Sequence, residues 1–358
     1  MITLNQTPHA TETFNWGNAE PLTNATRVHQ TFIAAAGGRS IPPSHFFHAA
    51  DFSSVKLALH MDALWIDAPF SPMSKTILST LQAGAGYLTR HGVDEARLNM
   101  EHLLAHVMGC RRLDLYLRFE EVLREPDLAA LRELTRRRAD GTPLQHLLGT
   151  VPFGDLEIIT DQRALIPRPE TEFLCDHLVQ RAGNHPPERV LDMACGSGCI
   201  GLYLAHAWSA AASQVTLADI SEDALDLARL NASRLGLAHT VLVRSDLFEK
   251  ITGTFDLIVS NLPYIPTAEI PTLSREVRRD PLLALDGGED GLDLVRRLLE
   301  AAPKFLAPQG QIVLELGQHQ PPIVAGILGN SGWREVNILS DLAGIERFVL
   351  AKNPTSAE

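Results

Sequence analysis

Cysteine is scarce in this chain, with four in 358 residues at positions 110, 175, 195 and 199, scattered through apolar contexts. That count and spacing exclude a disulfide framework and favour reduced thiols, hence a cytoplasmic protein. Long apolar runs are also missing, and none approaches the length of a membrane span. The first residues lack the basic start and apolar core of a secretory signal. Basic charge is short as well: 31 Lys and Arg stand against 43 Asp and Glu, a formal net charge of −12. Such a balance excludes a broad face that grips a nucleic-acid backbone, while leaving room for a protein partner with a basic patch. What is present, 45% hydrophobic and 21% charged residues, is the composition of a globular chain long enough for two domains.

Residues 1–72 differ from the rest: "NQTPHATETFNWGNAEPLTNATRVHQ" is polar without a sustained period, and "AAAGGRSIPPSHFFHAADFSS" mixes turn formers with isolated aromatics. A loosely ordered or non-native extension is expected there, with Met73 as the functional start and the beginning of the first helix. From 73 to 149 the pattern is helical. Ala96, Met100, Leu103, Leu104 and Val107 fall on one apolar stripe, and Gly92, Gly109 and Gly141 stand where helices should stop. "PDLAALRELTRRRADG" adds an amphipathic helix with its basic residues late, and the whole reads as a small bundle of about four helices. Residues 150–170 then turn to extended chemistry. Gly154-Asp155 marks a hairpin turn and two prolines stiffen Ile166–Pro169, giving a β-hairpin linker.

From 171 to 358 short apolar strands ("RVLDMA", "QVTLAD", "TVLVRSD", "FDLIVS", "QIVLEL") alternate with helices such as "SEDALDLARLNASRLG". Alternation of this kind specifies an α/β fold with a mainly parallel sheet covered on both faces. The closing pieces "REVNIL" and "RFVLA" are expected to form an antiparallel pair at the sheet edge.

Within this region "VLDMACGSGCIG" runs strand, loop, helix, and Gly196, Gly198 and Gly201 fit G-x-G-x-x-G. Asp219 ends the next strand, where its carboxylate can meet the ribose hydroxyls of an adenosine. Asp192, an acid just before the glycines, suits a ligand with an amino-acid cation and repels a pyrophosphate. That favours S-adenosylmethionine over a dinucleotide. Asp246 and Leu247, after the third strand, are placed to hold and pack an adenine.

"SNLPYIP" (260–266) ends the fourth strand at the same crevice. A carboxamide or exocyclic nitrogen is a poor nucleophile because its lone pair is delocalised. Asn261 can offer its side-chain oxygen to one N–H, and Leu262 its backbone carbonyl to the other. Pro263 restricts residue 262 in advance, and Tyr264 can stack on a planar substrate. On this account the side chain of Leu262 is secondary.

Taken together these residues resemble the release factor glutamine methyltransferase family. The resemblance covers about residues 75–352: "EARLNMEHLLAHVMGCRRLDLYLR", "GTPLQHLLG", "LIPRPETE", "LDMACGSGCIG", "NLPYIP", "LDGGEDGLD", "ELGQHQ" and "DLAGIERFVLA". It implies a Rossmann-like class I S-adenosylmethionine-dependent methyltransferase with a seven-stranded sheet. It further implies methyl transfer to the side-chain amide of the Gln in the Gly-Gly-Gln motif of peptide chain release factors, by a monomer with no metal. Carried onto this sequence, the cofactor set is Arg168, Thr171, Asp192, Ala194, Cys195, Gly196, Ser197, Gly198, Asp219, Asp246, Leu247 and Asn261. The catalytic set is Asn261, Leu262, Pro263 and Tyr264. "PRPETE" favours release factors over a ribosomal-protein glutamine as substrate. Two departures stand out: Leu262 where the family has Pro, and Ala194 where it has Gly. Asn-Leu-Pro-Tyr also resembles ribosomal RNA adenine dimethyltransferases, an alternative that the acidic charge and the helical region oppose. An NAD-binding oxidoreductase and a non-catalytic binding module are the remaining class-level rivals.

Four other features read as structural. His102 and His106 lie four apart but within a core stripe, without H-E-x-x-H or a third ligand. Cys195 and Cys199 read as packing residues beside the loop. "GGEDGLD" reads as a turn and helix cap, and "RRRAD" (136–140) as a solvated helix end.

Overall fold

The computed structural model describes residues 75–354, so the expectations for residues 1–72 and for Met73 lie outside the described residues. The first described helix, α1 (Ile77–Arg90), starts at the Thr76 cap, whose hydroxyl accepts from Ser79 N. It is followed by α2 (Ala96–Met108), α3 (Glu125–Ala139) and the short α4 (Leu144–Leu148). Ala96, Met100, Leu103 and Leu104 of the expected stripe are buried, and Val107 is half-buried. Gly92, Gly109 and Gly141 all take positive φ, the left-handed conformation that ends a helix. Strands β1 (Thr150–Phe153) and β2 (Leu156–Ile159) pair antiparallel around a Gly154-Asp155 turn.

Helix α5 (Pro169–Ala182) then leads into the main sheet, starting one residue before the expected end of the linker at 170. Its strands are β3 (Arg189–Met193), β4 (Gln214–Asp219), β5 (Val241–Arg244), β6 (Phe255–Ser260), β7 (Leu306–Glu315), β8 (Arg334–Ser340) and β9 (Glu346–Lys352). Helices α6 (Cys199–Ala207), α7 (Glu222–Arg234), α8 (Asp293–Ala301) and α9 (Pro321–Asn330) fill the connections. The seven strands run β5-β4-β3-β6-β7-β9-β8. The first five in that order are parallel; β9 pairs antiparallel with both β7 and β8, as the closing sequences led one to expect.

Alternation along each strand builds two cores. Val190, Val215, Leu217, Leu257, Val259 and Phe348 point to one face, under α5, α6, α7 and the hairpin residues Phe153, Leu156 and Ile158. Leu191, Met193, Ile258, Ile312, Leu314 and Val349 point to the other, under α8 and α9. Because β3 pairs with β4 on one side and with β6 on the other, the strand order reverses beside it. A parallel sheet opens a crevice at such a reversal, outside the carboxyl ends of the strands. Among the described residues no helix is long and apolar enough to cross a membrane.

Candidate active site

A cavity of about 700 Å³ lies at that reversal, walled by the loops after β3, β4, β5 and β6, by residues 163–168 and by residues 281–288. Its volume is that of a pocket for a ligand of nucleoside size.

The glycine loop forms the floor. Gly196 and Gly198 have φ of 56° and 80°, which an L side chain rarely adopts. Gly201 has a different reason to be glycine: a Cβ there would stand 2.1 Å from Leu217 Cδ2, so its absence lets α6 lie against β4. Ala194 also sits at positive φ, 60°, which explains physically why glycine suits that position and why alanine is strained there. Asn231 on α7 ties the loop down from behind. Its amide donates to Ser197 O (3.0 Å) and Ile159 O (3.1 Å), and its Oδ1 accepts from Ile159 N (2.7 Å).

Asp219 closes one end. Its Oδ2 accepts from Gly196 N and its Oδ1 from Ser221 N, both at 2.9 Å, and each oxygen keeps a lone pair for a ligand. Burial raises its pKa above the usual carboxylate value. Asp246 lines the cavity beside Leu247, and both of its oxygens are 3.0 Å from Arg297 Nη2. Leu247 adopts φ 44°, a second strained non-glycine residue on the wall. An acidic residue that binds two loop amides, an apolar shelf and a glycine floor form a donor and acceptor set that fits an adenosine ribose and base.

Asn261, Leu262 and Pro263 line the cavity at the end of β6, on the other side of β3 from Asp219. The Asn261 Nδ2 points to Thr171 Oγ1 at 3.4 Å, and the Thr171 hydroxyl donates to Glu315 Oε2 at 2.7 Å. Burial pushes Glu315 up to about 7. Arg168 lines the cavity and donates to Asp280 Oδ2 at 2.9 Å, so the "PRPETE" segment is fastened to the loop before residues 281–288.

Twelve of the expected site residues therefore line one cavity: Arg168, Thr171, Ala194, Cys195, Gly196, Ser197, Asp219, Asp246, Leu247, Asn261, Leu262 and Pro263. Three do not. Asp192 is fully buried behind the loop, and its Oδ2 accepts from Gly201 N (2.8 Å), so the expected direct contact with an amino-acid cation is replaced by a brace on α6. Gly198 serves backbone geometry, packed between Leu202, Ala228 and Leu217. Tyr264 is turned away: its ring lies beside Gly317, and its carbonyl accepts from Gln320 Nε2 at 2.9 Å, so it does not form a stacking platform here.

The structure adds residues that local patterns did not assign to the site. Gly287 and Gly291 of "LDGGEDGLD" abut the clamp backbone, where a Cβ would come within 2.7 Å of Pro263 O and 2.2 Å of Tyr264 O. Gly287 N donates to Ile265 O and Ile265 N to Leu285 O, so this segment holds the clamp in place and is more than a turn. Leu282 and Leu283 line the cavity yet remain 60% and 55% exposed, an apolar rim at the mouth. Burial raises the thiols of Cys195 and Cys199, the latter to about 12, which keeps both protonated and fits the packing reading. His106 is exposed and His102 half-buried.

Comparison with known proteins gives matches along both regions of the chain. Residues 79–149 match the family model described as PrmC N-terminal domain, and residues 169–273 the one described as Methyltransferase small domain. A release factor glutamine methyltransferase from Geobacter sulfurreducens is 42% identical over 276 residues, covering 76% of this chain and 95% of the relative. Proteins of the same name from Deinococcus radiodurans (42% over 265 residues; 74% of this chain, 94% of the relative) and Rhodopirellula baltica (38% over 287 residues; 76% and 95%) are similar along the same span.

Proposed function

The chain belongs to the release factor glutamine methyltransferase family, and from that premise we propose that it methylates the side-chain amide nitrogen of the Gln in the Gly-Gly-Gln motif of peptide chain release factors. S-adenosylmethionine, when bound over the glycine loop, supplies an electrophilic methyl group on a sulfonium. Asp219 is assigned to the ribose hydroxyls, Asp246 and Leu247 to the adenine, and the loop amides to the rest of the cofactor. The observation that carries the reading is that Asn261-Leu262-Pro263, at the end of the strand next to β3, line the same cavity as that loop.

The work of the clamp is positional. Asn261 Oδ1 and the Leu262 carbonyl accept the two amide hydrogens of the substrate, which holds its nitrogen in the crevice and keeps the lone pair in line with the methyl group. Alignment of this kind supplies several kcal/mol without a strong base. After transfer the surplus proton on nitrogen passes to water. Helices α1 to α4 and the hairpin are assigned to recognition of the folded release factor, with the apolar rim of Leu282 and Leu283 at the mouth where its loop enters.

Tritiated-methyl transfer to a purified release factor tests the proposal. Wild type is expected to label the factor, and a factor with Gln of the motif replaced by Ala is expected to stay unlabelled. Asn261→Ala should lose at least about 100-fold in rate, the scale of a lost positioning contact. It should keep cofactor affinity within a few-fold by calorimetric titration. Labelling of ribosomal RNA or of a ribosomal protein, with none of the release factor, would overturn the assignment of substrate.

A further inference from the structure

An asparagine side chain is nearly symmetric in shape, yet its two ends are chemically opposite. Asn261 helps the substrate amide only if its oxygen faces the crevice; with the nitrogen there, two NH2 groups would confront each other. Something outside Asn261 must decide which end points in. The deciding contacts lie behind it. Thr171, on the first turn of α5, and Glu315, the last residue of β7, are 2% and 4% exposed. The single hydroxyl hydrogen of Thr171 goes to Glu315 Oε2, at 2.7 Å. What Thr171 Oγ1 presents to Asn261 is then a lone pair, and the end of Asn261 that lies 3.4 Å away is its nitrogen, which also donates to the Glu315 carboxylate.

We propose that Glu315 is a positioning residue for methyl transfer: through Thr171, and as an acceptor for the Asn261 amide itself, it sets which end of that amide faces the substrate. The inference rests on the functional reading above. Without an acceptor at 315, the Thr171 hydroxyl is free to turn its hydrogen toward Asn261. The amide then gains by turning over, and its NH2 enters the crevice. A substrate glutamine would meet that NH2 with its carbonyl, leaving its own nitrogen on the wrong side for transfer. Glu315 touches neither substrate nor cofactor in this scheme; it does not line the cavity.

The surroundings of Glu315 support a dedicated role. A carboxylate buried next to a neutral hydroxyl costs stability, and a buried apolar residue at the end of β7 would pack without that cost. Its charged and titratable neighbours are Glu170 from α5, Tyr264 from the clamp and Arg347 from β9, and Cys175 and Cys199 also feel its charge. Arg347 is itself 2.8 Å from Asp341, so it is shared. Protonation of Glu315 has the same consequence as its removal. A neutral carboxyl can donate to Thr171, which then donates onward to Asn261.

The test is single-turnover methyl transfer to a release factor between pH 5.5 and 8.5, with cofactor affinity by calorimetry and melting temperature measured for each variant. In wild type the rate is expected to fall as pH drops through about 7, where burial places the Glu315 pKa. Glu315→Gln keeps an oxygen that can accept from Thr171 but does not titrate in this range, so it should stay within about three-fold of the wild-type rate at pH 8.5 and lose that acid limb. Thr171→Val should be slower by at least about ten-fold, and Thr171→Ser, which restores the hydroxyl, should recover most of the rate. An acid limb that persists in Glu315→Gln, or a Thr171→Val enzyme as fast as wild type, would overturn the inference while leaving the assigned activity intact. If Thr171→Val fails to fold, the pH profile of Glu315→Gln decides alone. A wild type that does not label the release factor removes the functional reading first, and this inference with it.

Discussion

Arg138, on the last turn of α3, is 4% exposed, and its Nη2 donates to Glu276 Oε1 on the segment between β6 and α8. The same guanidinium donates through Nε to Asn99 Oδ1 (2.7 Å) and through Nη1 to Thr142 O (3.3 Å), so one side chain joins α2, α3 and the methyltransferase-fold segment. Two arginines return the contact from the other side. Arg275 donates to His91 O (2.9 Å) at the end of α1, and Arg279 to Asp140 O (3.0 Å) at the end of α3. Both place a cation on the carbonyl end of a helix, where the dipole favours it. Three arginines thus fix the helices to the loop that leads into the crevice rim.

Arg138→Met should accordingly lower stability by about 2–3 kcal/mol, because it leaves Asn99 and a half-exposed Glu276 without their partner. Arg275→Ala and Arg279→Ala, at exposed positions, should each cost under about 1 kcal/mol. Urea denaturation midpoints separate the two outcomes. An Arg138→Met protein as stable as wild type would show that the buried guanidinium does not hold these segments together.

Asp219→Ala should weaken S-adenosylmethionine binding by about 1–3 kcal/mol through loss of charge-assisted hydrogen bonds to the ribose. The structure adds a second effect. Gly196 N and Ser221 N both lose their acceptor, so the cofactor-free protein should also be less stable, by about 1–2 kcal/mol. Calorimetric titration and thermal melting read the two effects separately. Normal cofactor affinity with lowered stability would assign Asp219 to the loop alone.

Leu262→Pro tests the clamp directly. From sequence, Leu262 acts through its carbonyl and its side chain is secondary; in the structure that side chain is buried in the core with Leu292 and Val295. Proline keeps the carbonyl but fills less of that space, at a cost of about 1–2 kcal/mol. The expected result is a lower melting temperature with a methyl-transfer rate within about five-fold of wild type. Loss of activity in a protein that melts normally would mean that residue 262 contributes more than its carbonyl.

The strands and the glycine loop were legible because their signals are local: "FDLIV" and "RVLDM" are short, mostly apolar stretches, and glycine spacing within twelve residues marks a strand-loop-helix turn. The segment "RRRAD" shows where local reading stops. Arg136 pairs on the surface with Glu133 and Asp140, as a solvated helix end should, while Arg138 two residues on is buried against a partner 138 positions away. Nothing within the helix distinguishes them. Tyr264 follows, and Asp192 nearly ends, a strand that reaches the crevice, yet neither lines the cavity. Strand alternation turns Asp192 to the face under α6, and Gln320 holds the Tyr264 backbone from behind. Glu315 sits in "ELGQHQ" as an acid ending an apolar strand, and only the fold brings it to Thr171.

Asp192 provides the final prediction. It is fully buried, only its Oδ2 has a hydrogen-bond partner, Gly201 N, and burial raises its pKa to about 7, with the nearby Asp219 charge adding to the rise. A folded-state value above the unfolded one means that the folded protein binds more protons between about pH 4 and 7. Stability should therefore fall as pH rises across that window, with the full penalty present above it. Asp192→Asn keeps an oxygen for Gly201 N and removes the charge. It is expected to be more stable than wild type by about 1–2 kcal/mol at pH 8, after allowance for an unpartnered amide, with no advantage at pH 5. Part of the wild-type slope should survive in the variant, since Glu315 is raised in the same direction. Because Asp192 does not line the cavity, S-adenosylmethionine affinity should stay within a few-fold. Denaturation at the two pH values and a cofactor titration settle the matter together. A variant that is less stable at pH 8 would show that the buried charge is needed by the fold, and a large loss of cofactor affinity would return Asp192 to the binding set.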